Sequence, residues 1–393
     1  MISYGKQSID RGDVKSVIKC LKSSNLTQGP LVPKFEQELS KYLGFKFCSV
    51  VSNGTAAMFL ISQLLKWNKN DIIALPPITF LSTASIIEHT KAKPLFIDID
   101  LNNYSMCPKK LEKELIKDKN KKIKAAVITD FGGMPADWRK FYYLKKKYNL
   151  VLINDQCHSL GSKYLKKKDY SSQYCDFSTL SFHPVKAITT AEGGAVLMNS
   201  RKMYLKSNLL RSHGIERNNK TYWKYKVNTP GLNFRLSDLN CALGLRQIKK
   251  IDIYIKKKRE IAKEYDKFFS KYSFFKIPNN NGNFFNSYHL YPLLVDLKKL
   301  KTSKDKLINF FLKNDIKLQV HYIPINSQPY YKKKYKLNKK KFKNSYYFHN
   351  TEISVPIYFE LKKAEILHII NTFKKFIKNK LLNNVYLNRV FKI

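Results

Sequence analysis

Acidic residues are scarce in this sequence: Asp and Glu number 29 against 73 Lys and Arg, a formal charge of +44 at neutral pH. Such an excess ordinarily points toward nucleic acid. The cations, however, are scattered from Lys6 to Lys392 in short runs at 166–168, 256–258, 332–334 and 339–341, with no single block or stripe. Abundant Ile, Asn, Tyr and Phe share A/T-rich codons with lysine, so base composition alone can assemble them. The expectation is a solvated lysine-rich surface with no nucleic-acid or membrane partner. Cysteine is sparse too. The six at 20, 48, 107, 157, 175 and 241 form no C-x-x-C pair, which argues against a zinc centre and against a disulfide scaffold. No apolar run approaches the ~18–20 residues needed to span a bilayer, and the first residues lack the apolar stretch of a signal peptide. A reducing, cytoplasmic setting is expected. What the chain does have is 393 residues of which 44% are hydrophobic. That excludes disorder and, at roughly 150 residues per domain, suggests two or three domains.

The first two-thirds alternates short apolar runs with helical stretches, the pattern of a parallel α/β domain. Strands are predicted at Phe47–Ser52, Ile72–Leu75, Pro94–Asp98, Ala125–Thr129, Leu150–Asn154, Phe177–Ser181 and Ala195–Met198. Helical periods lie between them at Ala56–Trp67, Phe141–Tyr148 and Tyr204–Arg211. From Ser237 a helical period runs on toward Phe269, and the expected long helix bridges two domains, 1–250 and 251–393. A second α/β segment follows, with strands near Tyr288–Val295, Leu318–His321 and Ile353–Pro356. Its helices are predicted near Ser303–Asn314, capped by Ser303, and near Lys363–Lys378.

In such sheets, ligands gather beyond the carboxyl ends of the strands. Three strand ends carry chemistry. Ser52-Asn53-Gly54-Thr55-Ala56-Ala57 stands between a strand and an apolar helix, where free N–H groups and the helix dipole suit a phosphate; an ordinary strand–turn–helix joint has the same pattern. Asn154-Asp155 ends another strand and delivers a carboxylate that needs a partner, although a helix-capping aspartate reads the same way. Ser181-Phe182-His183-Pro184-Val185-Lys186 ends a third. One lysine among so many means little alone. Together, a phosphate cradle, an aspartate and a lysine are the attachments that pyridoxal phosphate requires: an amine for its aldehyde, a carboxylate for its ring nitrogen and a helix start for its phosphate. Phe80 follows a fourth strand end and is a candidate to stack on the ring, or a core aromatic.

With these motifs in order, the chain resembles the DegT/DnrJ/EryC1/StrS family, pyridoxal-phosphate sugar aminotransferases of aspartate aminotransferase fold type I. Leu26–Pro30, Ser52–Ala56, Asn154–Gly161, Ser181–Ala195 and Gly231–Leu236 carry the resemblance, which covers Tyr4 to Ile357. Leu26–Gly29, Arg211–Gly214 and Gln319–Pro324 resemble the branch that works in pseudaminic acid biosynthesis. The resemblance implies an α/β fold, with a large cofactor-binding domain on a mostly parallel sheet and a smaller C-terminal α/β domain. It implies that Lys186 binds the cofactor aldehyde and Asp155 its ring nitrogen. Gly54, Thr55, Ala56 and Ser181 would hold the phosphate, Phe80 would cover the ring, and His158 would lie near the cofactor oxygen. Asn233 would reach into the partner's site in a homodimer. Tyr4, Leu26, Thr27, Gln28, Gly29, Gln319, Val320, His321 and Tyr322 would line the sugar-nucleotide pocket; no metal is implied. Asn154 departs from the family's acidic residue before the aspartate, with little consequence expected because alternate strand residues face away from the site. Related sugar 3-dehydratases carry histidine where Lys186 stands, so transamination is favoured. The implied reaction moves an amino group from L-glutamate to carbon 4 of a UDP-linked 4-keto-6-deoxy-N-acetylhexosamine. A GDP- or dTDP-linked keto sugar is the alternative substrate. A non-catalytic polyanion binder is the alternative of another class.

Overall fold

A computed structural model describes residues 1–217, 221, 223–279 and 282–390, with side chains through 380. The first strands are β1 (Phe47–Val51), β2 (Ile72–Leu75), β3 (Lys93–Phe96), β4 (Ile123–Thr129) and β5 (Val151–Asp155). A short strand β6 (Lys163–Tyr164) pairs elsewhere, with Phe284–Phe285, and β7 (Phe177–Ser181) and β8 (Gly194–Met198) complete the set. Seven of these form one sheet in the order β1-β8-β7-β5-β4-β2-β3. Only β8 runs against its neighbours, so the sheet is mostly parallel. Every strand expected in this part of the chain forms, with its ends moved by at most two residues.

The period of two along a strand sends alternate residues to opposite faces, each covered by helices. In β5, Ile153 joins Val51, Ile61, Leu75 and Val196 under the helix Gly54–Leu64. Leu152 joins Leu111, Ile128, Trp138 and Phe141 on the other side. Both faces are dry, which is why the strands read as continuous apolar runs.

A three-stranded antiparallel sheet (Phe275–Lys276, Tyr291–Val295, Glu352–Val355) carries a separate core with the helices Ile251–Phe269, Lys304–Leu312 and Lys363–Val390. Ser303 caps the second of these helices by accepting from the Lys306 N–H. Ile2 packs into this core, and its N–H donates to the Asp315 carbonyl at 2.7 Å, so the N-terminal arm is held by the C-terminal segment.

Two expectations are corrected. The helix expected from Ser237 to Phe269 is two, Asp238–Ile248 and Ile251–Phe269. The break falls where Gln247 donates to the Ser8 carbonyl and Lys250 Nζ reaches Asp10 and Asp13 at 2.8 and 2.6 Å. The expected strand Leu318–His321 is only an isolated bridge, Gln319 to Ser354. Gln319 turns its own side-chain oxygen onto the Val320 N–H at 2.9 Å, and a local bond of this kind competes with ladder pairing.

Candidate active site

Because β8 lies antiparallel between β1 and β7, its first residue meets the carboxyl ends of both. Gly194 is in register with Val51 on one side and Ser181 on the other. A Cβ on Gly194 would stand 2.5 Å from the Asn53 carbonyl carbon, so only glycine allows this approach. The helix Gly54–Leu64 therefore begins directly over Ser181, with a Cβ on Gly54 already 3.0 Å from the Ser181 Cβ. Asn53 caps the helix by accepting from the Ala56 N–H at 2.8 Å. Of the four residues assigned to the phosphate, Ala56 thus spends its amide on the cap. The amides of Gly54 and Thr55, in the first turn, have no acceptor within the helix.

Asp155 ends β5 and is buried, and among the described residues its carboxylate meets Cys157 alone, accepting the Cys157 N–H at 3.3 Å and lying beside its thiol. Lys186 follows β7 in a turn closed by its own N–H on the His183 carbonyl, at 2.8 Å. Burial lowers the Lys186 amine from its ordinary value, while Cys157 and Asp155 push it back up. A buried carboxylate and a half-buried lysine with a desolvated amine therefore lie close enough to interact electrostatically. Asn154, one residue earlier, points the other way. It donates to Asp130 at 3.0 Å inside a closed polar network of Tyr170, Ser159 and Trp138.

The far wall comes from the C-terminal segment. Tyr322 Oη lies 3.2 Å from His158 Nε2, and the Gly132 N–H donates to His158 Nδ1 at 3.3 Å. An N–H can only donate, so Nδ1 is the acceptor and Nε2 carries the proton toward Tyr322. Burial, then Lys186 and His321, hold His158 well below its usual range, so this ring is neutral. His321 is anchored by Ser354 at 2.8 Å, is pushed down to about 3 by burial and Lys186, and packs at a tilt against Tyr4 with ring centres 5.2 Å apart. Phe80 stands 6.2 Å from the Tyr322 ring and is 56% exposed, which places it at the mouth and not in the core.

Not every expected residue joins this cluster. Leu26–Gly29 is bound to the start of the helix Asp238–Ile248: the Asp238 N–H donates to the Leu26 carbonyl and the Gly29 N–H to Asp238 Oδ2 at 2.7 Å. Leu26, Thr27 and Gln28 are exposed. The Val320 N–H donates to the Gln319 side-chain oxygen, and the Gln319 backbone pairs with Ser354. Asn233 is exposed on a segment laid along the end of β1, where the Ser52 N–H donates to the Phe234 carbonyl.

Two buried residues of the site carried no signal in the sequence. His289 lies 4.3 Å from the His158 ring, and Lys258 comes from the middle of the helix Ile251–Phe269. Both line one cavity with Lys186. Their sequence separation from Lys186 hides the meeting; one of 8 histidines and one of so many lysines gave no cue.

This architecture, with a buried amine and carboxylate at the carboxyl ends of a mostly parallel sheet, is that of an aminotransferase. Residues 7–374 match the DegT/DnrJ/EryC1/StrS aminotransferase family, and the chain belongs to it. It is 38% identical over 372 residues, 95% of this chain and 96% of the relative, to the UDP-4-amino-4,6-dideoxy-N-acetyl-beta-L-altrosamine transaminase of Campylobacter jejuni subsp. jejuni serotype O:23/36. Among solved structures it superposes on PseC of Helicobacter pylori, an aminotransferase involved in pseudaminic acid biosynthesis, with TM-score 0.89 and 32% identity, covering 96% of this chain and 99% of that one. The PLP form of a putative sugar aminotransferase from Streptococcus pneumoniae matches with TM-score 0.86 and 26% identity over 96% of this chain and 98% of that one.

Proposed function

We propose that the protein is a pyridoxal-phosphate enzyme that moves the amino group of L-glutamate to carbon 4 of a UDP-linked 4-keto-6-deoxy-N-acetylhexosamine. The product is UDP-4-amino-4,6-dideoxy-N-acetyl-beta-L-altrosamine, the sugar named for the Campylobacter relative. The observation that carries the reading is the proximity of the buried Asp155 carboxylate and the half-buried Lys186, whose amine is desolvated, beyond neighbouring strand ends. These residues fit pyridoxal phosphate. Lys186 Nζ is the amine for its aldehyde, Asp155 the carboxylate for its ring nitrogen, and the open amides of Gly54 and Thr55 with Ser181 the seat for its phosphate. When bound, the cofactor supplies an electron sink for the substrate's C–H bond.

The remaining work belongs to the chain. A lysine near pKa ~10.4 is a poor base at neutral pH, and burial corrects this by lowering the Lys186 amine. Lys186 then carries the proton between the two carbon atoms that exchange it. The Asp155 carboxylate would pair with the ring nitrogen and hold its proton. Neutral His158 donates to Tyr322 and so orients that phenol at the wall of the pocket. Phe80 covers the mouth.

Two copies would share each site. Asn233 and the exposed Leu232 beside it stand at the phosphate end of the sheet, on a surface that suits a second copy of this chain. Mixing inactive Asn233→Ala and Lys186→Ala proteins should restore activity through heterodimers with one intact site; failure to complement after subunit exchange counts against sharing. No helix among the described residues is long and apolar enough to cross a membrane, and a cytoplasmic nucleotide-sugar pathway is the setting this reading implies.

The test is direct. The enzyme, loaded with cofactor and glutamate, is given UDP-, GDP- and dTDP-linked 4-keto-6-deoxy sugars, and the product is read by NMR. Amination of the UDP-linked N-acetyl sugar at carbon 4 is expected. Robust turnover of a GDP- or dTDP-linked sugar with none of the UDP-linked one would replace the substrate assignment.

A further inference from the structure

Behind Lys186 lies a cavity of about 30 Å³, walled by Lys186, Lys258, His289, Gln247, Tyr254 and Lys6. That is room for a small polar head group and not for a whole amino acid. Its electrostatics are one-sided. Three lysines line it and no carboxylate does. Lys6 is exposed and already faces Glu360 at 3.7 Å. His289 is held neutral, well below its usual range, by burial and by His158 and Lys186.

Lys258 stands apart from the other lysines on this helix. It is 6% exposed, midway along Ile251–Phe269, while its neighbours Lys256 and Lys257 are not buried. Among the described residues it has neither an ion-pair nor a hydrogen-bond partner. Burial alone pulls its amine down to about 8. Removing an amine from water without a partner destabilises a fold. The chain carries that cost at a position that opens onto the space behind Lys186, and a lysine there is explained if its partner arrives with a ligand.

We propose that Lys258 is the carboxylate-binding residue for the amino donor, receiving a carboxylate group of a dicarboxylic amino acid whose amine is delivered at Lys186. The proposal rests on the aminotransferase reading above and adds the residue that selects the donor. The cavity's size admits a carboxylate head only, so the rest of the donor lies on the Lys186 side. The absence of any competing acid leaves Lys258 free to meet it. A charge-assisted contact there favours an acidic donor over a neutral one of similar size.

The experiment uses the holoenzyme without any sugar. Rapid mixing with L-glutamate or L-alanine follows loss of the cofactor's visible band, and glutarate, which has both carboxylates and no amine, serves as the unreactive competitor. In Lys258→Met the half-saturating glutamate concentration should rise at least about 10-fold, the loss of roughly 1.4 kcal/mol. The glutarate inhibition constant should rise in parallel, and the constant for alanine should stay within about 2-fold. Lys258→Arg should recover most of the glutamate and glutarate affinity. Equal changes for glutamate and alanine, or no change in either, would overturn the assignment. So would a wild-type enzyme whose band responds to alanine and not to glutamate. Methionine removes a buried charge, so the variant is expected to fold, and the arginine variant keeps the test open if it does not. Because no keto sugar is present, failure of the sugar assignment leaves this result standing.

Discussion

Asp155 and Asn154 are neighbours in one strand and face opposite environments. Asp155 looks into the Lys186 space and accepts one backbone N–H from the chain. Asn154 looks into a packed interior, where Asp130 collects donors from Ala136, Trp138, Asn154, Ser159 and Tyr170 at 2.6 to 3.1 Å. Both sides are buried and polar, but on the Asn154 side the Asp130 carboxylate is saturated, though Asn154 Oδ1 itself has no partner, while the Asp155 carboxylate is not. A buried group with its valences filled holds structure together. One left short of partners is poised to take a ligand. The separation follows from strand geometry, since a single residue step reverses the face.

If that contrast is right, substitutions on the two sides fail in different ways. The largest effect is expected on the open side. Lys186→Ala should lower transamination by at least about 10⁴-fold, equivalent to roughly 5.5 kcal/mol of barrier, with little change in thermal stability. Borohydride reduction of wild type should place the cofactor adduct on Lys186, and an adduct on another lysine would end the assignment. Asp155→Asn should keep cofactor yet lose about 10²- to 10³-fold in rate, again at near-normal stability; steady-state kinetics beside a melting curve reads both, and a normal rate would make this carboxylate structural.

The closed side should behave in reverse. Asp130→Ala removes the acceptor shared by five donors, some of which keep a second partner, and should cost about 3–5 kcal/mol in denaturant unfolding, with the cofactor band unchanged in whatever protein remains folded. Burial also raises the Asp130 carboxyl to about 6, against the bonds that lower it. The native state therefore binds more protons than the unfolded chain between pH ~4 and 6. This group's contribution is fully present below about pH 4 and is lost as pH rises through 6, a change on the order of 3 kcal/mol. A pH series of unfolding curves on wild type and Asp130→Ala should show that slope in the first and not the second.

The smallest effect sharpens the comparison most. Asn154→Asp restores the family's acidic residue but sets a second carboxylate beside Asp130, and one of the pair must hold a proton. A raised folded pKa means stability falls as pH climbs, so the variant should be less stable than wild type by about 1–3 kcal/mol at pH 8 and close to it near pH 5. An equal loss at both pH values would show that the asparagine is needed for shape and not for charge. Its turnover per folded molecule should stay near wild type, because the change lies on the closed face.

Much of this site follows from local pattern. Strand β5 and the strands around it are apolar runs of four to seven residues, and their ends fall where the hydrophobicity stops, so Asp155, Ser181 and the Asn53–Ala56 turn could be placed at a sheet edge from the sequence. Burial of a continuous run and the capping preference of asparagine are properties of a few adjacent residues, and the linear chain carries them. The two faces of β5 follow from the same period of two. What the chain could not carry is which distant side chains meet. His289 and Tyr322 reach His158, and Lys258 shares a cavity with Lys186, because the C-terminal sheet docks its own core beside the first. The break at Lys249–Lys250 depends on Ser8, Asp10 and Asp13 arriving from the other end of the chain. Whether Lys258 is one more solvated lysine or a buried one without a partner among the described residues is settled by packing alone, since burial belongs to the surfaces that close over a residue and not to the residues beside it in sequence.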